Sequence, residues 1–242
     1  MKKMILIWVL LLGLLLSNLH ACSENQPLEE EGLENTQTSS NTNNKTYVES
    51  NGILSVEFEK VKDENNWQRG SSIDGYDGEG YLLWSNPDSF QTPGNGILTY
   101  KLNITTTGTY LFIWRSRIAH GESQSEANDS WLRFKDASDF YGRQGNSIVY
   151  PKGIGKSPNP NGSSAAGWFK IYMNRLGEWF WRSNTSDNDP HDIYVTFSSP
   201  GIYTMEVSGR SQHHALDRFL LFKNGITFQE AESAARSEII NP

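Results

Sequence analysis

Cysteine is nearly absent from this chain of 242 residues, which contains one, Cys22. A single thiol cannot form an internal disulfide, and the five histidines do not combine with it into a structural zinc motif. Basic residues are also a minority, since 21 Lys and Arg stand against 28 Asp and Glu, a formal net charge of −7. This balance argues against nucleic acid or an anionic membrane surface as the main partner.

Glycine and aromatic residues, by contrast, are abundant: the chain has 21 Gly, 8 Trp, 10 Tyr and 11 Phe. This aromatic content is too high for a disordered protein, and the many glycines favour packed β-structure with exposed loops. The length allows one large domain or two small ones, and all-β folds of this size are often single domains.

The N-terminus has the features of an export signal. Two lysines precede an apolar run of thirteen residues (4–16), which is short for a transmembrane helix and suits a signal peptide. Leu-His-Ala-Cys (19–22) follows and resembles the lipobox of bacterial lipoproteins. The resemblance implies a signal peptide over residues 1–21 and acylation of Cys22, which would anchor the protein in a membrane. An ordinary secretory peptide is the alternative.

The residues after Cys22 indicate location. Ser23, rather than Asp, resembles lipoproteins sent to the bacterial outer membrane. Residues 22–45 are acidic and polar, which predicts a disordered tether. Their acidic run resembles surface-export signals of lipoproteins, with a plain solvated linker as the alternative. Residues 1–45 carry three Lys and five Glu, so the predicted folded domain (46–242) has 18 basic and 23 acidic residues, a net charge of −5.

Ten strand-like segments recur through this domain between Gly, Pro, Asn and Ser clusters. Several alternate apolar and polar residues with a period of two, which fits antiparallel strands with one buried and one solvated face. The segments are 55–61, 80–85, 96–104, 108–118, 130–136, 167–174, 178–183, 192–197, 202–210 and 215–223. We predict an all-β fold of about ten antiparallel strands, a β-sandwich of the jelly-roll type. A helix is expected only in the tail at 229–237, and the turn-rich stretch 137–166 is predicted to be a surface excursion.

Short motifs occur in a set order between residues 54 and 223. They are VEFE (56–59), Trp67, GYDGEGY (75–81), GILTY (96–100), GTY (108–110), WR (114–115), GRS (209–211) and ALDRF (215–219). In this order they resemble the galactose-binding-like jelly rolls of the CBM6/CBM35 type, carbohydrate-binding modules that often accompany glycan-degrading enzymes. Two departures stand out: the stretch 137–166 is longer than a compact module needs, and Phe58 stands where the family often has Ala.

The resemblance implies a calcium site. The strand prediction places Glu57 and Glu59 on one face, where two carboxylates can converge on a cation. In the resembling family a structural calcium lies between such a pair and an Asp of the last strand, which here is Asp217. The implied cofactor is therefore structural Ca²⁺ held by these three acids. The alternative is a solvated strand face whose carboxylates pair with Arg218 or Lys60.

Candidate glycan-binding residues combine aromatic rings, which stack on sugar faces, with planar polar groups that bind hydroxyls. The predicted ligand-binding residues are Trp67, Tyr76, Tyr81, Asn128, Asp129, Trp181, His213 and His214. For each aromatic the alternative is a place in the core, where most Trp and Tyr of a β-sandwich lie. Arg115 and Arg117 could bind an acidic sugar or sulfate, or pair with nearby carboxylates.

Motifs of serine hydrolases, P-loop enzymes, zinc proteases and EF-hands are missing from the sequence. We therefore predict a monomeric, non-catalytic lipoprotein that binds a polysaccharide or oligosaccharide at the cell surface, without catalytic residues and without a nucleic-acid partner. Two alternatives stay open: a jelly-roll polysaccharide lyase or glycoside hydrolase, and a protein-binding adhesion or structural lipoprotein. The residues considered for catalysis are Arg210, His213 and His214 for a lyase, and Glu178 with Asp187 or Asp189 for a glycosidase.

Overall fold

A computed structural model describes residues 45–241 of the chain. The predicted signal peptide (1–21), Cys22 and the rest of the predicted tether up to residue 44 lie outside the described residues. Export, lipidation and the domain boundaries therefore stay predictions. In the described part of the chain, no helix has the length and apolar character needed to cross a membrane.

Strands account for most of the regular structure between residues 45 and 241. In chain order they are β1 Thr46–Val48, β2 Ile53–Glu57, β3 Gln68–Gly70, β4 Tyr81–Leu83, β5 Leu98–Ile104, β6 Gly108–Ile118, β7 Asp129–Phe134, β8 Asp139–Gln144, β9 Ser147–Val149, β10 Ser164–Ala165, β11 Trp168–Tyr172, β12 Phe180–Trp181, β13 Asp192–Phe197, β14 Gly201–Gly209, β15 His214–Lys223 and β16 Ile239–Ile240. A 3-10 turn (Phe58–Lys60) follows β2, and a helix, α1 (Phe228–Ser233), lies between β15 and β16.

The strands form two sheets. One has the order β10-β11-β7-β14-β5-β1-β16. The other has the order β3-β4-β15-β6-β13-β8-β9, with β12 added beside β6 and β2 beside β15. All pairings in the described residues are antiparallel except that of β1 with β5, which is parallel.

A shared apolar core joins the two sheets, because each turns one face of alternating large side chains inward. Along β6 the buried residues alternate with half-exposed ones, so that Phe112 and Trp114 point into the core. Across the interface, the ring of Phe219 on β15 lies 5.2 Å from that of Tyr100 on β5, centroid to centroid. The predicted all-β sandwich is confirmed, with sixteen strands in the described residues instead of about ten.

All ten predicted strand segments overlap a strand, and the predicted bounds 108–118 and 192–197 are those of β6 and β13. The prediction for 137–166 was wrong in part, because this stretch contains β8, β9 and β10, and β8 is paired with β13. The sequence of β8 does not show the alternation of apolar and polar residues expected of a strand, because Gly142 occupies an inward position. A Cβ at Gly142 would lie 2.8 Å from the Cβ of His191, so the tight packing there excludes a side chain.

The predicted tail helix is confirmed in type and is shorter than expected, ending at Ser233 instead of Ser237. Thr227 and Glu230 form a capping box at its N-terminus. The segment 55–61 is also shorter as a strand, because β2 ends at Glu57 and the chain turns at Phe58–Lys60.

Glu49 fastens the loop after β1 to the loop after β5. Its buried carboxylate accepts hydrogen bonds from the backbone N–H groups of Thr105 (2.9 Å) and Thr106 (2.7 Å), and from that of Gly52. Burial opposes its charge, but the hydrogen bonds from Thr105, Gly52 and Thr106 outweigh burial and hold the pKa of Glu49 below its ordinary value.

Replacing this carboxylate should therefore leave buried backbone donors without an acceptor. We expect Glu49→Ala to lower the free energy of unfolding by about 3 kcal/mol, the scale of losing charge-assisted hydrogen bonds. Urea denaturation followed by tryptophan fluorescence measures this change. Glu238→Ala, which removes an exposed carboxylate, is the control. Equal stability of the two variants would contradict the role given to Glu49.

Candidate functional site

A cleft of about 650 Å³ opens at the end of the sandwich where β7 begins and β14 ends. It is formed by the loops after β4, β6, β12 and β14, together with side chains from β7 and β11. Its lining includes Asp88, Phe90, His120, Glu126, Asn128, Asp129, Lys170, Asp187, Arg210, Gln212 and His213. We refer to this site as the Arg210 cleft.

Arg210 is held in place from several sides. One guanidinium nitrogen forms a buried ion pair with Asp129, which also accepts a hydrogen bond from the Ser211 hydroxyl. The guanidinium carbon lies 5.2 Å from the ring centroid of Trp131 and 4.9 Å from that of Phe90. The charge of Arg210 is thus paired within the protein, while its plane supports the ring of Phe90.

Phe90 is the exposed aromatic residue of the cleft, with 45% of its surface accessible. The loop that carries it is tied to the sandwich, since Ser89 N donates to the Arg210 carbonyl (2.7 Å) and Trp131 Nε1 donates to the Ser89 carbonyl (3.0 Å). The cleft therefore presents a flat apolar ring on a fixed loop.

Two residues of the cleft have unusual backbone conformations. Ala127 (φ 52°) and His213 (φ 68°) both occupy the left-handed region, which non-glycine residues rarely adopt. Such strain persists only where the surrounding structure enforces it, and it is concentrated at functional sites. The His213 ring lies 4.8 Å from that of His120, so the strained position holds two imidazoles together at the rim.

Polar groups deeper in the cleft are similarly fixed. The Asn128 amide donates to the carbonyls of Gln124 (3.0 Å) and Met173 (2.9 Å). Burial lowers the pKa of Lys170, while the nearby charges of Asp129 and Asp187 oppose this shift.

Three predicted ligand-binding residues, Asn128, Asp129 and His213, come together in the Arg210 cleft. His214, by contrast, is fully buried behind it, with Nδ1 2.8 Å from the Ser130 hydroxyl. Burial lowers the pKa of His214 to about 3, so the imidazole is neutral at physiological pH. Its place is in the interior, where a sugar does not reach it.

The predicted aromatic residues lie elsewhere. Trp67 is 4% exposed and Tyr81 is 2% exposed, so both rings belong to the interior. Trp67 donates through Nε1 to the Gly96 carbonyl (2.7 Å), and Tyr81 packs between Tyr76 and Trp179, at ring distances of 5.8 and 5.1 Å. Substituting Trp67 or Tyr81 would therefore remove core contacts.

Trp181 and Tyr76 are half-buried and also lie outside the cleft. The Trp181 indole N–H donates to Glu232 (2.9 Å), and the guanidinium carbon of Arg218 lies 4.9 Å from the Trp181 ring. Neither the type of ring nor the flanking residues distinguish an exposed aromatic residue from a buried one, because glycine-rich flanks occur around both.

Sequence reasoning missed several residues of the cleft, above all Phe90, His120 and Lys170. One available signal was the segment 85–96, in which Phe90 is a lone aromatic among Ser, Asn, Pro and Gly. Lys170 gave no such signal, since it lies within a strand and enters the cleft only through the pairing of β11 with β7.

The residues considered for a glycosidase are dispersed, whereas Arg210 and His213, considered for a lyase, both line the Arg210 cleft. Of those considered for a glycosidase, Asp187 lines the cleft, whereas Glu178 is exposed elsewhere and Asp189 accepts a hydrogen bond from Asn161 (3.2 Å). Of the arginines considered for an acidic ligand, Arg115 is paired with Asp217 inside the acid cluster described next.

The predicted metal ligands lie near each other, although not on one strand. Glu57 ends β2, Glu59 lies in the 3-10 turn, and Asp217 lies on β15. Arg236 pairs with Glu57 (2.9 Å) and Arg115 pairs with Asp217. Within residues 45–241, Arg218 and Lys60, the alternatives named for these acids, form their ion pairs with Asp77 and Glu79 instead.

Asp77 completes this acid cluster. Its carboxylate lies 3.0 Å from Arg218 and 3.5 Å from both Arg115 and Arg236. Its loop packs closely on Glu57, because a Cβ at Gly78, which has φ +70°, would overlap the Glu57 carboxylate.

Glu59 differs from the other acids of the cluster, because its Oε2 is buried and has no hydrogen-bond partner within residues 45–241. Burial raises the pKa of Glu59 to about 7, and the negative charges of Glu57 and Asp217 act in the same direction. With all groups ionised, four carboxylates face three arginines in the cluster, which leaves one negative charge in excess.

This donor set fits a hard cation in its chemistry, because carboxylate oxygens with one excess negative charge suit Ca²⁺. In the described residues, however, no three acidic, His or Cys side chains are already arranged as a metal site. Glu59 would be the main ligand, because its Oε2 has no partner among residues 45–241. Glu57 and Asp217 would bind the cation while also pairing with Arg236 and Arg115.

Comparisons with known proteins give a likeness in fold only. No family model matches the sequence, and no curated protein sequence matches it significantly. Among solved structures, the chain is similar to the GH26-CBM35 β-(1,4)-mannanase of Podospora anserina, with 12% identity over 74% of this chain and 29% of that one and a TM-score of 0.44. The chain thus spans less than a third of the mannanase.

Two shorter structures are similar over nearly their whole length. The C-terminal CBM6 of a Zobellia galactanivorans laminarinase has 14% identity, covers 71% of this chain and 99% of that one, and has a TM-score of 0.35. A carbohydrate-binding module of Cellvibrio mixtus lichenase 5A, in complex with cellotriose, has 13% identity, covers 71% and 97%, and has a TM-score of 0.36.

The burial of His214 predicts an acid-dependent loss of stability. An unfolded His takes up a proton below its ordinary pKa of about 6.5, whereas the folded His214 stays neutral until about pH 3. The stability linked to this group is therefore present above pH 6.5 and is lost as the pH falls. Below pH 6.5 we expect the free energy of unfolding of wild type to fall by about 1.4 kcal/mol per pH unit relative to that of His214→Asn.

Urea denaturation of both proteins between pH 7.5 and 5 measures this difference. The control is Ile202→Ala, because it removes an exposed side chain without an ionisable group and should leave the pH dependence unchanged. Parallel pH profiles of wild type and His214→Asn would contradict the buried, neutral state of His214.

Proposed function

We propose that this chain is a non-catalytic carbohydrate-binding protein and that it holds a polysaccharide or oligosaccharide in the Arg210 cleft. The observation that carries the proposal is the combination of an exposed Phe90 ring, fixed by Arg210, with the planar polar groups of the cleft. A pyranose ring has an apolar C–H face and an equatorial edge of hydroxyls, and this pairing of surfaces complements both.

The cleft is prepared for binding before a ligand arrives. Asp129 is held by Arg210 and Ser211, and Asn128 is held by two backbone carbonyls. Both side chains are 3% exposed, so they hold the floor of the cleft in place. A floor that is already oriented loses little conformational entropy on binding, which raises affinity without new contacts. The same engagement supports a non-catalytic role, because Asp129 is committed to its ion pair and His214 is buried away from the ligand.

A lyase remains the second candidate, because the cleft brings His213 and His120 to the same opening as Arg210. A lyase needs a base beside a group that neutralises the carboxylate of the sugar. The pairing of Arg210 with Asp129 weakens this candidate, since the guanidinium charge is already compensated.

The proposal includes attachment to the bacterial outer membrane through acylated Cys22, with exposure at the cell surface. Its support is the Leu-His-Ala-Cys sequence with its preceding apolar run, together with an acidic, polar segment long enough to act as a tether. The protein would act as a monomer that captures glycans close to the membrane.

We also propose a structural Ca²⁺ held by Glu59 together with Glu57 and Asp217. Its support is the buried, unpartnered Oε2 of Glu59 and the one uncompensated negative charge of the cluster. A cation there would link the turn after β2 to β15, and so stabilise the fold without touching the Arg210 cleft.

Loss of the exposed ring should weaken glycan binding without affecting the fold. We expect Phe90→Ala to reduce affinity about tenfold, the scale of a lost stacking contact, in native gels containing a panel of neutral polysaccharides. Ile202→Ala is the matched control, because Ile202 is 54% exposed on β14, away from the cleft.

The other outcomes separate the alternatives. Retention of wild type in none of the gels would favour a protein-binding function. Release of unsaturated products that absorb in the ultraviolet would favour the lyase. Equal retention of Phe90→Ala and wild type would show that the binding site lies outside this cleft.

Calcium binding should be visible as a change in thermal stability. We expect millimolar Ca²⁺ to raise the melting temperature of chelator-treated wild type by a few degrees, because a ligand that binds only the folded state stabilises it. Glu59→Gln should fold and show no such response. A melting temperature of wild type that is the same with Ca²⁺ and with chelator would refute the proposed metal site.

A further inference from the structure

A second cavity, of about 400 Å³, lies at the opposite end of β7 from the Arg210 cleft. The Arg210 cleft meets β7 at Asp129, and the second cavity meets it at Arg133 and Phe134. Five residue steps along a strand separate these ends by about 17 Å, so the two cavities are distinct. We call the second one the Lys156 pocket.

The wall of this pocket comes from the stretch 137–166, whose length sets the chain apart from a compact module. The wall is braced by hydrogen bonds from Lys152 N to the Ser164 hydroxyl (2.7 Å) and from Gly167 N to the Lys152 carbonyl (2.8 Å). Ala166, which lines the pocket, has a left-handed backbone (φ 49°). The pocket is thus formed by a constrained segment.

The inner part of the pocket is apolar. Phe134 and Phe140 lie at its base with their ring centroids 5.3 Å apart, and Pro151 and Ala137 line its sides. Ile154 is 42% exposed on the wall, which places an aliphatic side chain where a ligand can contact it.

The rim of the pocket is cationic. Arg133, Lys135 and Lys156 line it, and Asp139 is the single carboxylate among its lining residues. Lys156 Nζ lies 2.8 Å from Asp139 Oδ1. The positive rim contrasts with the domain as a whole, whose net charge is −5.

One further carboxylate, that of Glu206, lies behind the rim. It pairs with Arg133 at 2.6 Å and lies 3.6 Å from Lys135 Nζ. Three cations therefore face two carboxylates, and Lys135, with 53% of its side chain exposed, is the least tightly paired cation. An incoming anion would find an uncompensated positive charge beside an apolar floor.

We propose that the Lys156 pocket is a second binding site that takes a carboxylated or sulfated sugar residue. The anionic group would bind at Lys135 and Lys156, and the C–H face of the ring would lie against Ile154. A purely apolar ligand would leave the rim cations desolvated, whereas an inorganic anion would make no use of the apolar wall.

The site is independent of the proposed glycan binding at the Arg210 cleft and can be tested separately. Fluorescein-labelled dextran, carboxymethyl-dextran and dextran sulfate share one backbone and differ in the charged group. Fluorescence anisotropy with the full-length protein should show binding of one or both anionic dextrans and much weaker binding of dextran. The two anionic probes distinguish a carboxylate ligand from a sulfate ligand.

Substitutions then locate the site. Lys135→Gln with Lys156→Gln should weaken binding of the anionic dextran about tenfold or more, and Ile154→Ser should weaken it at unchanged charge. Lys62→Gln is the matched control, because it removes an exposed lysine outside the pocket. Ile202→Ala should leave this binding unchanged, because it removes an exposed side chain that lines neither the pocket nor the cleft.

Three results would overturn the proposal. They are equal binding of dextran and its anionic forms, equal loss in the Lys62→Gln control, and no effect of Ile154→Ser. The last result would mean that charge alone attracts the polymer to the surface. Circular dichroism and the melting temperature of each variant show whether a loss of binding comes from a loss of fold.

Discussion

The buried ion pair between Asp129 and Arg210 determines the shape of the candidate site, because it joins the start of β7 to the end of β14. Taking two charges out of water is costly, and the pair is stable only because further contacts complete it. Those contacts are the Ser211 hydroxyl on Asp129 and the rings of Trp131 and Phe90 beside the guanidinium. The exposed ring thus owes its orientation to a buried charge.

Charge is distributed over the domain in separate groups, and each group serves a different purpose. The acid cluster around Asp77 and Asp217 is almost neutralised by arginines and connects β2, β15 and the segment after α1. The Arg210 cleft keeps several carboxylates at its opening, while the Lys156 pocket has a cationic rim. Net charge alone, −5 over the domain, describes none of these local environments.

Sequence reasoning identified the sandwich because period-two alternation is a direct consequence of strand geometry, and every segment that it selected overlaps a strand. It missed β8, where Gly142 removes the expected apolar residue. It also assigned Trp67 and Tyr81 to the surface, since local composition does not reveal which side of a strand or loop faces the second sheet. The cleft itself combines residues far apart in sequence, so only strand pairing brings Asn128, Lys170 and Arg210 together.

The placement of β1 has a mechanical consequence. This strand, Thr46–Val48, lies between β5 and β16 and is hydrogen-bonded on both sides. A tension applied to the chain ahead of Thr46 along the strand axis would act on these bonds in shear, so that they resist together instead of opening one after another. A domain attached through this strand would withstand the drag of a large bound polymer better than one attached through a frayed end.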